Sequence, residues 1–395
     1  MHIVDIRETS VPLQGDIANA LVNFSEHTVS LVAVESDVIR NGRAVTGIAF
    51  NSIGRFAQPG LLRERFIPRI MACKPGALLE DDGRAFSASK VHRAAMANEK
   101  PGGHGDRAAA VAALELAIWD LNAKLEDEPA YRTIARAAGR LPQVQPIPVY
   151  AAGGYYYPGD SLGRLRGELS RARDLGFVDY KIKIGGAPLA QDLQRVEAAV
   201  VFAGGGRHVS VDANGRFDLA AALQYADALR PMQLRWLEEM GDPLDYALHA
   251  ELSRHYPHAL ATGENLFSTP DTVNLLRFAG LRPGLDILQM DAGLSYGLTE
   301  YLQTVAAMEA HGFDRRQLLP HGGHLINLHI VAGLGLGGCE VYPGVFQPFG
   351  GYAAGCMVSQ GHALPTAAPG FGLEEKPELK EVIAGLLSRA QRGVS

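Results

Sequence analysis

The sequence contains few cysteines, no long apolar run and no basic run, and each absence excludes a class of protein. Only three of its 395 residues are cysteines, Cys73, Cys339 and Cys356, and they lie far apart, which suits free thiols in a reducing compartment. A formal net charge of −6 without a basic run gives no reason to expect nucleic acid or an anionic membrane as partner. No apolar segment approaches the length needed to span a membrane, and the N-terminus has no basic segment followed by an apolar one. We therefore expect a soluble cytoplasmic protein.

Two glycine-rich stretches have the composition of phosphate-binding loops but not their context. Residues 333–338 (GLGLGG) end a helical pattern and precede a strand, the reverse of the order in a dinucleotide-binding fingerprint. Residues 204–206 (GGG) lack the Lys-Ser/Thr pair that a P-loop requires. We discount the first stretch and interpret the second as a turn between a helix and a strand.

A short stretch, YKIKIGG at residues 180–186, places two lysines on one face of a predicted strand. Side chains alternate across a strand, so Lys181 and Lys183 point one way and Ile182 and Ile184 the other. Two ammonium groups crowded on the inward face of a sheet repel each other and lose water, and both effects lower the pKa of a lysine. The pattern predicts a lysine base, the alternative being an edge strand with solvated lysines.

After this strand, short apolar runs end in a polar side chain at regular intervals. The successive gaps are 29, 26, 26, 27 and 30 residues, the length of one strand, one helix and two turns. This period predicts a (β/α) barrel, whose active site gathers at the carboxyl ends of the strands. The polar residues in phase are Lys183, Asp212, Glu238, Glu264, Asp291 and His321.

The chain before residue 146 does not follow this period. We therefore predict an α+β domain over residues 1–145 and a barrel domain over residues 146–350. The C-terminal segment, residues 351–395, is predicted to complete the first domain. The proline-rich stretch 141–148 marks the first boundary. The other predicted elements are strands at 3–11, 28–38 and 44–50, a turn at 40–42, and helices at 61–71, 88–98, 107–124 and 376–389.

Two histidines follow the last regular interval. His321 and His324 are separated by two glycines, which argues against the helical spacing of a metal-binding pair. We predict one functional histidine, His321, with Asp291 accepting its second ring proton and supporting the imidazolium. A core histidine bonded to a carbonyl is the alternative. Lys100, which precedes a glycine-rich loop, is a candidate cation for a substrate carboxylate.

The series of strand-end residues resembles the enolase superfamily in its mandelate racemase subgroup. Longer strings resemble the D-tartrate dehydratase family within it: NEKPGGHG at 98–105, AAGGYYYPG at 151–159, VDANGRF at 211–217 and GDPLDY at 241–246. The resemblance extends over nearly the whole chain. It implies a modified (β/α)7β barrel of the TIM type with an α+β capping domain built from the N-terminal region and the C-terminal tail. In the loop NSIGR at 51–55 the family pattern has asparagine where this chain has Ile53, which bears on substrate specificity.

The resemblance also implies one Mg²⁺ per subunit, held by Asp212, Glu238 and Glu264, with Glu238 rather than Glu239 as the ligand. Three carboxylate oxygens, completed by substrate and water, suit Mg²⁺ better than zinc. A divalent cation on the substrate carboxylate stabilises the enediolate that forms when the α-proton is removed.

From these assignments we expect Lys183 to abstract the α-proton, with Lys181 lowering its pKa and contacting the substrate carboxylate. His321 is expected to protonate the departing hydroxyl, and the resulting enol ketonises, which converts D-tartrate to oxaloacetate and water. The other expected substrate contacts are Lys100, Asn19, Arg55 and Tyr155. Asn214 and Glu340 are expected to bond either to the substrate or to the residues that contact the substrate or the cation.

Other readings use the same residues. The substrate could be a longer acid sugar of the galactarate or gluconate type. If Lys183 and His321 were bases on opposite faces of the α-carbon, the reaction would be racemisation or epimerisation. A catalytically silent barrel would be expected to have lost at least one of these residues. The expected partners are a small hydroxy acid and further copies of the chain.

Overall fold

The computed structural model describes residues 1–15, 17–157, 159 and 161–388. Pro158, which lies in one of the family strings, and Arg389, the predicted end of the last helix, lie outside the described residues.

The chain begins with an antiparallel sheet of three strands in the order β1-β2-β3. Its members are β1 (Ile3–Pro12), β2 (Thr28–Arg40) and β3 (Arg43–Phe50), which confirms the three predicted strands. Asn41 and Gly42, between β2 and β3, have φ values of 52° and 74°, which these two residue types tolerate best. The predicted hairpin turn is therefore confirmed.

Helices follow this sheet in the chain. Their bounds are α1 (Pro59–Leu61), a π-helical turn (Leu62–Phe66), α2 (Ile67–Met71), α3 (Ala88–Ala95), α4 (Asp106–Leu125) and α5 (Ala130–Ala137). The longest of them, α4, packs against β2 and β3. Helix α4 comes so close to β3 that a Cβ on Gly47 would lie 2.0 Å from the carbonyl oxygen of Ala117. The sequence analysis missed α5, since eight residues give only two turns of periodic signal.

The second part of the chain is a barrel of parallel strands, with hydrogen-bonded neighbours in the order β10-β4-β5-β6-β7-β8-β9. The strands are β4 (Ile147–Gly153), β5 (Tyr180–Lys183), β6 (Val209–Asp212), β7 (Trp236–Glu238), β8 (Leu260–Thr262), β9 (Ile287–Leu288) and β10 (Cys339–Val341). The helices between them are α6 (Ser161–Asp174), α7 (Leu189–Ala203), α8 (Leu219–Leu229), α9 (Tyr246–His255), α10 (Thr269–Phe278), α11 (Leu298–Ala310) and α12 (Leu325–Leu334).

The segment 318–321 occupies the remaining strand position. It forms a parallel bridge from Leu288 to Leu318, and the Leu319 amide donates to the Leu288 carbonyl at 2.9 Å. On its other side the Tyr342 amide donates to the Gly323 carbonyl at 3.2 Å, which links it to the chain after β10. In the described part of the barrel, eight strand positions alternate with seven helices, which confirms the predicted (β/α)7β fold.

The C-terminal segment returns to both parts of the chain. Strand β11 (His362–Ala363) pairs antiparallel with β4, and α13 (Lys380–Ser388) packs beside β1, where the Arg7 guanidinium donates to the Leu387 carbonyl at 2.7 Å. The last helix was predicted to begin at residue 376, but Pro377–Leu379 forms a 3₁₀ turn and the α-helix begins after it. The division into three segments at residues 145 and 350 stays a prediction. Within the described residues, no helix combines the length and apolar character needed to cross a bilayer.

Candidate active site

The strand-end residues come together because neighbouring parallel strands are in register. Lys183 on β5 pairs with Asp212 on β6, and Asp212 pairs with Glu238 on β7. Each of these residues is the last of its strand, and the next strand, β8, leads to Glu264. One lysine and three carboxylates therefore lie side by side at one end of the barrel.

Asp212, Glu238 and Glu264 form a cluster that can hold a cation. One oxygen of each lies within 4.8 Å of the other two. Asp212 and Glu238 are fully buried, and Glu264 is 9% exposed. Mainly because of burial, and with the nearby carboxylates adding to it, the pKa of Glu238 is raised to about 8. Three crowded hard oxygens match the ligand preference of a divalent cation such as Mg²⁺, whose charge offsets their repulsion.

Neighbouring side chains fix the orientation of two of these carboxylates. The Trp236 indole donates to Glu238 Oε2 at 2.8 Å. The backbone amide of Asn214 donates to Asp212 Oδ1 at 2.8 Å, and its side-chain amide to Oδ2 at 3.1 Å. Asn214 thus orients Asp212, one member of the carboxylate cluster, and its predicted contact with a substrate stays a prediction.

Glu239, the neighbour of Glu238, points elsewhere. Its backbone adopts φ = 40°, and its carboxylate accepts two hydrogen bonds from the Asn265 side chain, at 3.0 and 2.8 Å. The structure therefore brings Glu238 into the carboxylate cluster, as the sequence analysis predicted. Asn265, which directly follows Glu264, was missed by that analysis.

The two strand lysines are paired with carboxylates, not left to repel each other. Lys183 Nζ lies 2.5 Å from Asp212 Oδ2, and Lys181 Nζ lies 2.5 Å from Glu238 Oε1 and 2.7 Å from Glu340 Oε1. Burial alone lowers the pKa of both lysines, but the carboxylates outweigh it and raise both pKa values. The predicted lowering is therefore wrong for this state of the site, because a strand pattern does not reveal which acids surround the lysines.

Lys181 and Glu340 form a buried pair and do not line the cavity that opens at the strand ends. Both are 1% exposed, and the second oxygen of Glu340 accepts a hydrogen bond from the Gly322 amide at 3.0 Å. Their pairing ties β5 to β10 and to the segment after His321. The substrate contact predicted for Lys181 stays a prediction, whereas the bonds of Glu340 to Lys181 and Gly322 agree with the alternative that Glu340 holds neighbouring site residues.

His321 and Asp291 form a buried pair on the other side of the cluster. His321 Nδ1 lies 3.2 Å from Asp291 Oδ2, and His321 Nε2 lies 3.1 Å from the Tyr342 hydroxyl. Burial lowers the pKa of His321, but Glu264 and the bond to Asp291 outweigh it and raise the pKa to about 9. The imidazole is therefore held protonated and can donate a proton at neutral pH.

Asp291 accepts hydrogen bonds beyond the one from His321. The Gly293 amide donates to Asp291 Oδ1 at 2.8 Å, and the Asn327 side chain donates at 3.3 Å. Burial raises the pKa of Asp291, but the bond to His321, the charges of the two neighbouring histidines and the Ser52 side chain outweigh it and lower the pKa. His324 instead bonds to Ser52 Oγ at 2.9 Å, and burial lowers its pKa to about 4. The structure thus separates the two histidines by role.

A cavity of about 420 Å³ opens above these groups. Asn19 lines it, but its side-chain oxygen accepts hydrogen bonds from the amides of Leu21 and Val22, so only its amino group is available to a ligand. Lys100 is exposed and is absent from the described lining. The predicted site residues that do line the cavity are Asn19, Arg55, Tyr155, Lys183, Asn214, Glu264 and His321.

Several lining residues were not found from the sequence. Tyr342 lies two positions after Glu340 at the end of β10, and this position was the signal that could have found it. Phe267 and Leu244 lie on loops after strands, where no periodic pattern distinguishes them from other apolar residues. Ile53, which was singled out, is 1% exposed and faces the cavity.

Comparison with known proteins agrees with this geometry. A relative from Streptomyces coelicolor, 3,6-anhydro-alpha-L-galactonate cycloisomerase, is 32% identical over 232 residues, which are 58% of this chain and 59% of the relative. The arabinonate dehydratase of Saccharolobus solfataricus is 25% identical over 344 residues, 84% of this chain and 85% of the relative. The chain thus spans less than two thirds of the length of the first of these relatives.

Solved structures share the fold. A racemase from Streptomyces coelicolor A3(2) with bound magnesium superposes with a TM-score of 0.76 at 21% identity, covering 98% of this chain and 99% of that one. The L-talarate dehydratase from Polaromonas sp. JS666, complexed with Mg and L-glucarate, gives 0.72 at 22% identity, with 94% of each chain covered. The enolase C-terminal domain-like family model matches residues 164–379, more than half of the sequence. The chain therefore belongs to the enolase C-terminal domain-like family.

Proposed function

We propose that this protein is a Mg²⁺-dependent dehydratase of an acid sugar. The observation that supports this most directly is the arrangement of Lys183 and His321, which face one cavity from different strands with the carboxylate cluster between them. An elimination next to a carboxylate needs these three parts: a base, an acid and a site for the anion that develops.

Each residue has a defined task in the elimination. Lys183 Nζ takes the proton from the α-carbon, and the electron pair of that C–H bond forms the C=C bond of an enol. The C–O bond at the next carbon breaks, and the departing hydroxide takes a proton from His321 to become water. The enol then ketonises to a 2-keto acid. Asp291 keeps the imidazolium oriented throughout.

Asp212, Glu238 and Glu264 are the residues that would hold Mg²⁺. Bound there, the ion would supply positive charge that stabilises the negative charge developing on the substrate carboxylate and that offsets the charge of Asp212 beside Lys183. Offsetting that charge would weaken the interaction that raises the pKa of Lys183.

The cavity and the relatives favour a longer acid sugar over D-tartrate. A volume of about 420 Å³ falls within the ~300–1,000 Å³ range of small-molecule sites and leaves room beyond a four-carbon diacid. Two similar proteins are named for arabinonate and talarate dehydration. The sequence stretches that resemble the D-tartrate dehydratase family suggest dehydration of D-tartrate to oxaloacetate, which is kept as the narrower prediction. Ile53 is the position that affects this substrate specificity.

Racemisation or epimerisation is the second candidate. Lys183 and His321 could act as two bases on opposite faces of the α-carbon, and a racemase shares the fold. The hydrogen bond from His321 to the buried Asp291 carboxylate supports an imidazolium and so favours the acid role of His321.

The test is incubation with Mg²⁺ in deuterated water, followed by proton NMR, using galactarate, glucarate, galactonate, gluconate and the three tartrate isomers. A 2-keto acid formed with loss of water supports the dehydratase. Deuterium at the α-carbon without loss of water supports the racemase instead.

The cytoplasmic location and the homo-oligomeric assembly stay predictions. Light scattering of the purified protein tests the assembly.

A further inference from the structure

Arg55 differs from the other basic groups that line the cavity. Lys183 pairs with Asp212, and His321 pairs with Asp291. Arg55 instead donates to the Asn265 side-chain oxygen and, at 2.9 Å, to the Gly54 carbonyl, and its guanidinium carbon lies 4.9 Å from the centre of the Phe267 ring. Within the part of the chain that the structure describes, no carboxylate pairs with it.

The surroundings hold this guanidinium in place. The Asn265 amino group is bonded to the Glu239 carboxylate, which fixes the direction of the oxygen that accepts from Arg55. The Phe267 ring supports the guanidinium plane. Since these partners are neutral, the positive charge of Arg55 is positioned but not compensated, as in a site prepared for an anion.

The loop that carries Arg55 is anchored to the acid side of the site. The Ser52 amide donates to the Gly293 carbonyl at 3.2 Å, and Ser52 Oγ bonds to His324. A Cβ on Gly54 would lie 3.6 Å from His321 Cε1, so the loop passes directly over the proposed acid. Arg55 therefore lines the cavity from an anchored loop, with its guanidinium held at Asn265 and Phe267.

We propose that Arg55 binds a second carboxylate of the substrate, so that the enzyme acts on diacids of the aldarate type in preference to the corresponding monoacids. One carboxylate lies at the cation site on the strand ends, and the other meets the guanidinium fork. The inference rests on the proposed function and narrows its substrate class. It gives Arg55 the task that the sequence analysis gave to Lys100, whose exposed side chain lies outside the cavity lining.

The test compares kcat/KM for diacids and monoacids of matching configuration with Mg²⁺: galactarate with galactonate, glucarate with gluconate, and D-tartrate with a threonate. For the diacid that is turned over, Arg55→Gln is expected to lower kcat/KM by about 10- to 100-fold, the range for losing a charge-assisted bond. The monoacid value should change by less than about threefold, because it lacks the group that Arg55 binds.

Two further variants show whether a loss of activity comes from the charge of Arg55, from its planar shape or from a folding defect. Arg55→Lys keeps the charge but loses the planar fork, so its loss with the diacid should be smaller than that of Arg55→Gln. Should Arg55→Gln fail to fold in a thermal melt, the selectivity of Arg55→Lys decides. Arg277→Gln, at an exposed arginine outside the cavity lining, is the matched control and should leave both substrate classes unchanged.

The possible failures are distinct. Equal turnover of diacids and monoacids by the wild-type enzyme would overturn the inference and leave the dehydratase intact. A selective loss of diacid activity in Lys100→Gln but not in Arg55→Gln would also overturn the inference, because it would assign the second carboxylate to Lys100. Turnover of no substrate in the panel would overturn the proposed function and this inference with it.

Discussion

The floor and the roof of the cavity compensate charge in different ways. On the floor, Lys183, Glu264 and His321 line the cavity, and Asp212 and Glu238 are buried at the same strand ends. Both basic groups of the floor are paired with a carboxylate. The roof consists of segments 19–24 and 51–55, which present apolar side chains together with the uncompensated guanidinium of Arg55. The contrast suggests that the floor performs the reaction, whereas the roof selects what reaches it.

The largest expected effect comes from removing the base on the floor. Lys183→Ala should lower kcat by about 10³-fold or more, near the upper part of the range for general acid–base groups. Exchange of the substrate α-proton with deuterated solvent, followed by proton NMR, should stop. Persistent exchange at the wild-type rate would show that another group removes the proton.

Next in size is the loss of a cation ligand. Glu238→Gln should weaken Mg²⁺ binding by at least about 100-fold, since even outer-shell changes at metal sites cost about 10- to 100-fold. Isothermal titration with Mg²⁺ measures this, and Glu239→Gln is the matched control because Glu239 bonds to Asn265. A stronger effect from Glu239→Gln than from Glu238→Gln would reverse the assignment.

A smaller effect should separate the two halves of the reaction. His321→Asn removes the proton donor, so elimination should fall by about 10²- to 10³-fold while α-proton exchange continues. Product formation and deuterium uptake are measured in the same sample. Loss of both would support the racemase reading, in which His321 also acts as a base.

Two buried histidines extend the comparison to a place outside the cavity. Carboxylates raise the pKa of His321 to about 9, whereas burial lowers the pKa of His329 to about 3. The pKa of a histidine in the unfolded chain is near 6.5. Between pH 6.5 and 3, His329 is therefore protonated in the unfolded chain but neutral in the folded protein. Unfolding free energy should therefore fall as the pH drops, by up to about 1.4 kcal/mol per pH unit from this residue.

Urea unfolding at pH 7, 6 and 5 measures this smallest effect. His329→Asn should make the decline with falling pH shallower, and the same change at exposed His311 is the matched control. An equally steep decline in both variants would show that the acid sensitivity arises at other groups.

Sequence periodicity predicted the barrel and its strand-end residues because both depend on local order. A strand of fixed length, a helix and two turns return the chain to the same face, so equal spacing places Asp212, Glu238 and Glu264 together. The partners of Lys181 could not be predicted in this way. Glu340 lies far along the chain and meets Lys181 only because β10 closes the barrel beside β4.

The sequence by itself therefore predicted the fold class and placed Lys183, the three carboxylates and His321 at the strand ends, because each position follows from residue type and regular spacing. Only the tertiary structure decided the ionisation of the lysines, the exclusion of Lys100 from the cavity and the free charge of Arg55. Those properties depend on which distant side chains approach within a few ångströms, and electrostatic energy at that range changes steeply with distance and burial.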